Sequence, residues 1–324
     1  MWRPSCSHES IKARAELYAQ LRAFFMSRGV LEVETPVLSQ SGSTDPYLES
    51  LCFDQDQTYY LQTSPEFAMK RLLASGIGDI YQVCKSFRCN EVSARHNPEF
   101  TMLEWYRIGF SLDELVQEIY ALVSEVLDLP KEGGTASKPP SAYRLVTYKK
   151  AFNDFLNINP FHEALSSLQD MCVREANYGG SPLDRDGCLD LLLSVCVEPN
   201  LGIDKPCFLI DYPESQAALA RIEVDEEGDR VGKRAELYIR GLELANAYDE
   251  LTDAAEQRRR FDQDLLMRSE LGLPNVAPDS RLLEALEDGI PACAGVALGI
   301  DRLLMLKMGA SSLADVVAFP HERA

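Results

Sequence analysis

The chain contains no apolar run approaching twenty residues, which excludes a membrane-spanning helix. Its opening residues carry no secretory pattern, and its nine cysteines include no CxxC pair. Cys84 and Cys89 are the closest two. An odd count without framework spacing points to reduced thiols and a cytoplasmic protein. Positive charge is scarce: 32 Lys and Arg stand against 51 Asp and Glu, a formal net charge of −19. Such a surface repels a nucleic-acid backbone unless a local basic patch overcomes it. The longest basic run, Arg258–Arg260, has acidic neighbours and reads as a solvated helix face. No GxxxxGK[ST] loop is present, and Gly76-Ile-Gly78 is too short for a dinucleotide turn, so any nucleotide is held by other means. There is no internal repeat.

What is present suffices for a large core: 324 residues, 46% of them hydrophobic. Helical spacing of Leu17, Leu21, Phe24 and Phe25 predicts a first helix over about Ser10–Arg28, stopped by Gly29. A half-buried strand is expected at Val30–Glu34, ended by Pro36, and another at Tyr59–Gln62. A helix then starts with Ser64 as N-cap and Pro65 in its first turn. Ile80–Phe87 and Phe100–Tyr106 read as a strand pair. Ser111 and Glu114 form a capping box for an amphipathic helix, and Lys131–Ala142 reads as a loop. The pattern is helical from there to about Gly202, an insertion over roughly 131–202. Strands are expected at Cys207–Asp211, Glu236–Leu244, Ala247–Leu251 and Gly295–Leu298, with helices after Asp253, over Leu282–Glu287 and from Asp301. Neighbouring strands joined by short turns, with helices between groups, describe an α+β fold around a mainly antiparallel sheet.

The densest chemistry lies in RHNPEFTMLEWY, Arg95–Tyr106, following CKSFR, which ends at Arg88. This stretch offers Arg88 and Arg95, His96, Glu99 and Glu104, and the rings of Phe100 and Tyr106. Guanidinium forks match phosphate oxygens and an aromatic ring stacks on a base, so the mixture suits an anionic aromatic ligand such as a nucleotide. Any one of these residues alone reads as an ordinary ion pair or surface group; the set in so short a span does not.

Three segments together resemble the class II aminoacyl-tRNA synthetases: GVLEVETP (Gly29–Pro36) as motif 1, FR…RHNPEFTMLEWY (Phe87–Tyr106) as motif 2 and GVALGIDR (Gly295–Arg302) as motif 3. The wording is closest to lysyl-tRNA synthetase. Motif 1 begins after a single helix, where lysyl-tRNA synthetases carry an anticodon-binding barrel first. A stand-alone catalytic domain over 1–324 resembles the elongation factor P lysine ligase family, and TSPEFAMKRLL, LEWYR, ELANAYDELTD and CAGVALGIDRL are similar to that family too.

That resemblance implies an enzyme that activates (R)-β-lysine with ATP and passes the β-lysyl group to a lysine of elongation factor P. It implies use of Mg²⁺, a homodimer built through Gly29–Leu38, and no tRNA partner. By matching position, it implies that Arg88 bridges the α-phosphate and the substrate carboxylate. Arg95 and His96 would reach the β- and γ-phosphates. Phe100 and Arg302 would sandwich the adenine, with Asn97, Glu243, Leu244 and Gly299 also at the nucleotide. Glu236 and Glu243 would ligate Mg²⁺; seven residues apart on one expected strand, they need a bulge or twist to share a face. Ser64, Pro65, Glu66, Tyr106, Asn246, Glu250 and Ala297 would line the amino-acid pocket. Glu66 would hold the near amino group, Glu250 with Tyr106 the distal ammonium and Asn246 the carboxylate. Two departures stand out. Phe87-Arg88-Cys89-Asn90 places Glu91 one position later than the usual motif 2 glutamate, leaving open whether the loop shifts or Asn90 makes the base contact. Ala297 replaces the glycine of lysyl-tRNA synthetases, narrowing the pocket floor by one methyl.

Overall fold

The structure is a computed structural model that describes residues 2–89, 92–129 and 142–324. Helix α1, His8–Met26, starts where Ser7 Oγ accepts the Ser10 N–H at 3.0 Å and stops before Gly29, whose φ of +69° suits glycine. The strand expected at Val30–Glu34 shrinks to β1, Leu31–Glu32, both exposed. Short strands β2, β3 and β4 (Leu38–Ser39, Cys52–Asp54, Thr58–Leu61) lead into helix α2, Glu66–Ala74. Strands β5, Ile80–Phe87, and β6, Glu99–Ile108, form the expected pair. Helix α3, Leu112–Leu127, carries its capping box: the Ser111 N–H donates to Glu114 at 2.8 Å and the Glu114 N–H to Ser111 Oγ at 3.3 Å. The expected loop at Lys131–Ala142 lies outside the described residues except for Ala142.

The supposedly all-helical stretch opens with a strand, β7, Arg144–Thr147, before helices α4 (Tyr148–Leu156), α5 (Leu165–Ala176) and α6 (Arg185–Leu192). Strands β8, Cys207–Pro213, and β9, Ile222–Val224, follow. The strand expected at Glu236–Leu244 is in fact the tip of a hairpin. β10, Arg230–Ile239, turns through Arg240 and Gly241, with φ of +54° and +68°, into β11, Leu242–Asp249. A two-residue turn with both residues at positive φ matches the twist of antiparallel strands, but an arginine there gives no sequence signal. Two backbone bonds secure the turn, Arg240 N–H to Gly202 O at 2.7 Å and Gly241 N–H to Leu201 O at 2.8 Å. Helices α7 (Ala254–Glu270, capped by Asp253) and α8 (Ser280–Asp288) precede β12, Cys293–Gly299, and α9, Ile300–Met308.

The chain divides into two compact units. The first comprises the described residues of Met1–Phe110, Leu122–Leu129 and Leu251–Ala324. In it the strands run β1-β5-β6-β12, antiparallel except for the β1–β5 pair. Odd-numbered residues of β5 and β6 face α1: Phe25 stacks on Tyr81 with centroids 4.3 Å apart and meets the edge of Trp105 at 5.4 Å. Leu17, Leu21, Leu103 and Trp105 are sealed from solvent, each such side chain contributing about 1.5–3 kcal/mol of burial. That core occupies one face of the sheet and leaves the even-numbered residues on the other.

The second unit comprises the described residues of Ser111–Ala121 and Pro130–Glu250. Its strands run β11-β10-β8-β7, with β9 also beside β10; only β7–β8 is parallel. Helices α4, α5 and α6 supply Tyr148, Phe152, Leu168, Leu189 and Leu192 to a core that also takes in Leu209, Tyr212 and Tyr238 from the sheet. No helix of the described residues is long and apolar enough to cross a membrane.

Candidate active site

In the first unit, register alone assembles a chemical face. Tyr106 stands opposite Ile80 and Gly295, Glu104 opposite Gln82 and Ala297, and Met102 opposite Cys84 and Gly299; Phe100 stands opposite Ser86. Residues directly opposite in an antiparallel pair share a face. Small residues on β12 therefore lie beside long ones on β6. Glu104 is buried and accepts the Tyr106 hydroxyl at 2.7 Å. Although Glu104 stood among the motif 2 carboxylates, sequence reasoning gave it no role. The signal was available: it alternates with Phe100 and Tyr106 on one strand face. Burial, then the nearby Glu104 charge, pushes the Cys84 thiol up to about 12, which removes it as a nucleophile.

Arg88 follows the last residue of β5, its backbone N–H bonded to Pro98 O at 2.9 Å. Its guanidinium carbon lies 5.1 Å from the centre of the Phe100 ring. Arg95 and His96 are exposed on the loop between the strands. Arg302, in the first turn of α9, donates to His96 Nε2 at 2.6 Å, and Ser93 Oγ meets His96 Nδ1 at 2.9 Å. Because a guanidinium only donates, Nε2 is the accepting nitrogen and Nδ1 carries the proton. Asn97 pins the loop, donating to Glu99 O at 2.5 Å and accepting the His321 N–H at 2.9 Å. Beneath them, buried Asp301 accepts the Thr101 N–H at 2.7 Å and pairs with Arg14 of α1 at 2.6 Å, tying α9 to the strand that bears Phe100. Gly299 is the N-cap position of α9. Asn90 and Glu91 lie outside the described residues.

Pro65, not Ser64, occupies the N-cap position of α2, and Ser64 Oγ accepts the Glu66 N–H at 3.4 Å. Glu66, expected to hold the near amino group, already has a partner. Lys70, one turn on and buried, donates to Glu66 Oε1 at 2.6 Å. A substrate amino group would share this carboxylate with a resident ammonium.

In the second unit the β10–β11 hairpin carries the other carboxylates. Glu236 pairs with Asn246, and Tyr238 with Glu243; the register shifts between Leu237 and Tyr238, leaving buried Leu244 as the extra residue. That bulge puts Glu243 and Asn246, three residues apart, on one face with Glu236. Glu236 is buried, and all four lone-pair positions of its carboxylate are engaged. Arg234 Nη2 and Asn246 Nδ2 (3.1 Å) donate to Oε1, and the Tyr212 and Tyr238 hydroxyls donate to Oε2. Burial and then the Glu236 charge hold both phenols well above their ordinary range, so they remain donors. Glu250 is buried just past β11 and bridges to Ala220.

No group of three or more His, Cys, Asp or Glu among the described residues is arranged to hold a metal ion. Magnesium bound with a triphosphate needs only one or two carboxylates. Half-buried Glu243 fits that requirement. Glu236 does not offer an open lone pair: a metal there would have to displace one of its four donors.

Residues 1–323 match the family of class II tRNA synthetases (D, K and N). Proteins of Salmonella gallinarum (strain 287/91 / NCTC 13346), Salmonella paratyphi B and Salmonella dublin are each 44% identical to the chain over 333 aligned positions, covering 100% of it and 98% of the relative. Each of the three bears the name elongation factor P--(R)-beta-lysine ligase.

Proposed function

The chain belongs to the class II tRNA synthetases of the D, K and N type, and from that premise we propose that it is an ATP-dependent ligase joining (R)-β-lysine to a lysine ε-amino group of elongation factor P. The observation that carries this reading is full-length identity of 44% to ligases of that name. In the first step a carboxylate oxygen of the amino acid attacks the α-phosphate and pyrophosphate leaves. In the second, the acceptor amine attacks the acyl carbon, AMP leaves and the amine loses a proton. No protein nucleophile is required, so the enzyme works by positioning and charge neutralisation.

Arg88 is the residue for the α-phosphate and the carboxylate, and its place beside Phe100 supports that. Arg95 and His96 suit the outer phosphates because they sit on an exposed loop. Phe100 and Arg302 would bracket the adenine. The magnesium ion would neutralise triphosphate charge, with Glu243 as the fitting ligand. In the first unit Glu104 joins Tyr106, Glu66 and Ala297 as a residue for the amino acid, a buried carboxylate being suited to an ammonium group; in the second, Glu250 and Asn246 are the residues for it. The proposed enzyme is a cytoplasmic homodimer without a tRNA partner. Exposed Leu31 and Leu38 in the Gly29–Leu38 region support an isologous contact there, and a monomer in light scattering at micromolar concentration would remove it.

The test is to incubate the enzyme with ATP, (R)-β-lysine and elongation factor P and to weigh the acceptor by mass spectrometry. The expected result is a gain of one β-lysyl group on a single lysine. Efficient charging of lysine tRNA with no gain on the protein would overturn the reading.

A further inference from the structure

Asn246 is the residue expected to meet the substrate carboxylate, and an asparagine can present either its oxygen or its nitrogen. Its amide is gripped on both sides. Arg234 Nε donates to Asn246 Oδ1 at 3.1 Å, while Asn246 Nδ2 donates to Glu236 Oε1 at 3.1 Å. A guanidinium has only donors and a carboxylate only acceptors. Flipping the amide would set nitrogen against guanidinium and oxygen against carboxylate, so a single orientation survives. In that orientation the second Nδ2–H is the group left to offer a ligand, and it is a donor.

Arg234 is itself held from several sides. Nη1 donates to Gln216 O at 2.8 Å, Nη2 donates to Glu236, and the guanidinium lies over the Tyr212 ring at 4.3 Å. Burial alone would ease its proton off; the Glu236 charge, followed by Tyr248 and Tyr212, outweighs that and keeps the group ionised. Arg234 and Glu236 therefore form a satisfied ion pair whose free geometry is spent on one neighbour, Asn246.

We propose that Arg234 is a positioning residue that sets amino-acid recognition by locking the Asn246 amide with its N–H toward the substrate carboxylate. The inference rests on the amino-acid-activation reading above. It assigns Arg234 no contact with the nucleotide and no part in holding the distal ammonium.

Calorimetric titration with L-lysine and with cadaverine, which has both lysine nitrogens but no carboxylate, separates this role from a merely structural one. The wild type should bind lysine more tightly than cadaverine. Arg234→Met should weaken lysine about 10- to 100-fold, the range for losing a hydrogen bond to a charged group, and leave cadaverine within about twofold. Arg234→Met also strands Glu236, so the double variant Arg234→Met/Glu236→Gln is the control for folding. It should melt near the wild type and still fail to discriminate. Asn246→Ala should lose the same discrimination, and combining it with Arg234→Met should add nothing further, as expected for residues acting as one unit. Equal weakening of both ligands, additive losses, or preserved discrimination in the double variant would each overturn the role of Arg234 while leaving the activation reading intact. A wild-type protein that binds neither L-lysine nor, in a parallel titration, (R)-β-lysine would overturn that reading and this inference together.

Discussion

The loop between β5 and β6 and the hairpin of β10 and β11 both gather charged groups, and they do so in opposite ways. On the loop, Arg95 and His96 stand in water, and His96 is bracketed by Ser93 and Arg302. On the hairpin, Glu236 is buried and accepts from four donors, two of them phenols rooted in the helical core. Groups that must close on a polyanion and later release it gain from staying hydrated. Groups that must hold one orientation gain from burial, because in a low dielectric a wrongly paired polar atom is expensive. Under the proposed function, the same inventory of arginine, glutamate and aromatic rings would serve gripping in one region and pre-organisation in the other.

The largest effect should come from removing the centre of the buried network. Glu236→Ala leaves Arg234 and two tyrosine hydroxyls without their acceptor, and should cost about 3–5 kcal/mol in urea unfolding. His96→Ala should stay within about 0.5 kcal/mol of the wild type. Similar losses for the two variants would erase the distinction between the regions. Activity should reverse the ranking on the first unit's side: Arg88→Ala should lower lysine-dependent pyrophosphate exchange by about 100- to 1,000-fold, the scale of a lost charge-stabilising donor, with little change in stability. Exchange within tenfold of the wild type would show that some other group neutralises the α-phosphate.

Pocket shape ranks next. Ala297 lies opposite Glu104 on the sheet face of the first unit, and a single methyl is worth roughly 1–3 kcal/mol in discrimination. Ala297→Gly should raise adenylation of α-lysine relative to (R)-β-lysine, whereas Glu250→Gln should depress both together; an unchanged isomer ratio in the glycine variant would end the pocket-floor role. The smallest effect is expected for Arg302→Ala. Losing one side of the proposed adenine sandwich should weaken ATP by about 0.5–2 kcal/mol, because the proposed Phe100 stack would remain, and a total loss of ATP binding would show that Arg302 does more than stack.

Wherever a few neighbouring residues decide the outcome, the sequence was legible. β5 runs over Ile80–Phe87 as its pattern predicts, Ser111 and Glu114 close their capping box, Asp253 caps α7, and Gly29 takes the positive φ that ends α1. The grouping of the residues proposed for the nucleotide was legible for a similar reason: Arg88 to Tyr106 lie on one hairpin, so spacing along the chain is nearly spacing in the fold. The second group of carboxylates was not. Glu236 and Glu243 look like two ends of one strand until Arg240 adopts a positive φ, and only the bulge at Leu244 brings Glu243 and Asn246 to the face of Glu236. The donors that fix Glu236 include Tyr212, 24 residues away, whereas the Glu66–Lys70 pair, four residues apart on an expected helix, was within reach of the sequence. Local backbone preferences and short-range periodicity are written residue by residue. The protonation, orientation and saturation of a buried group depend on which distant side chains share its volume, and chain collapse makes that choice.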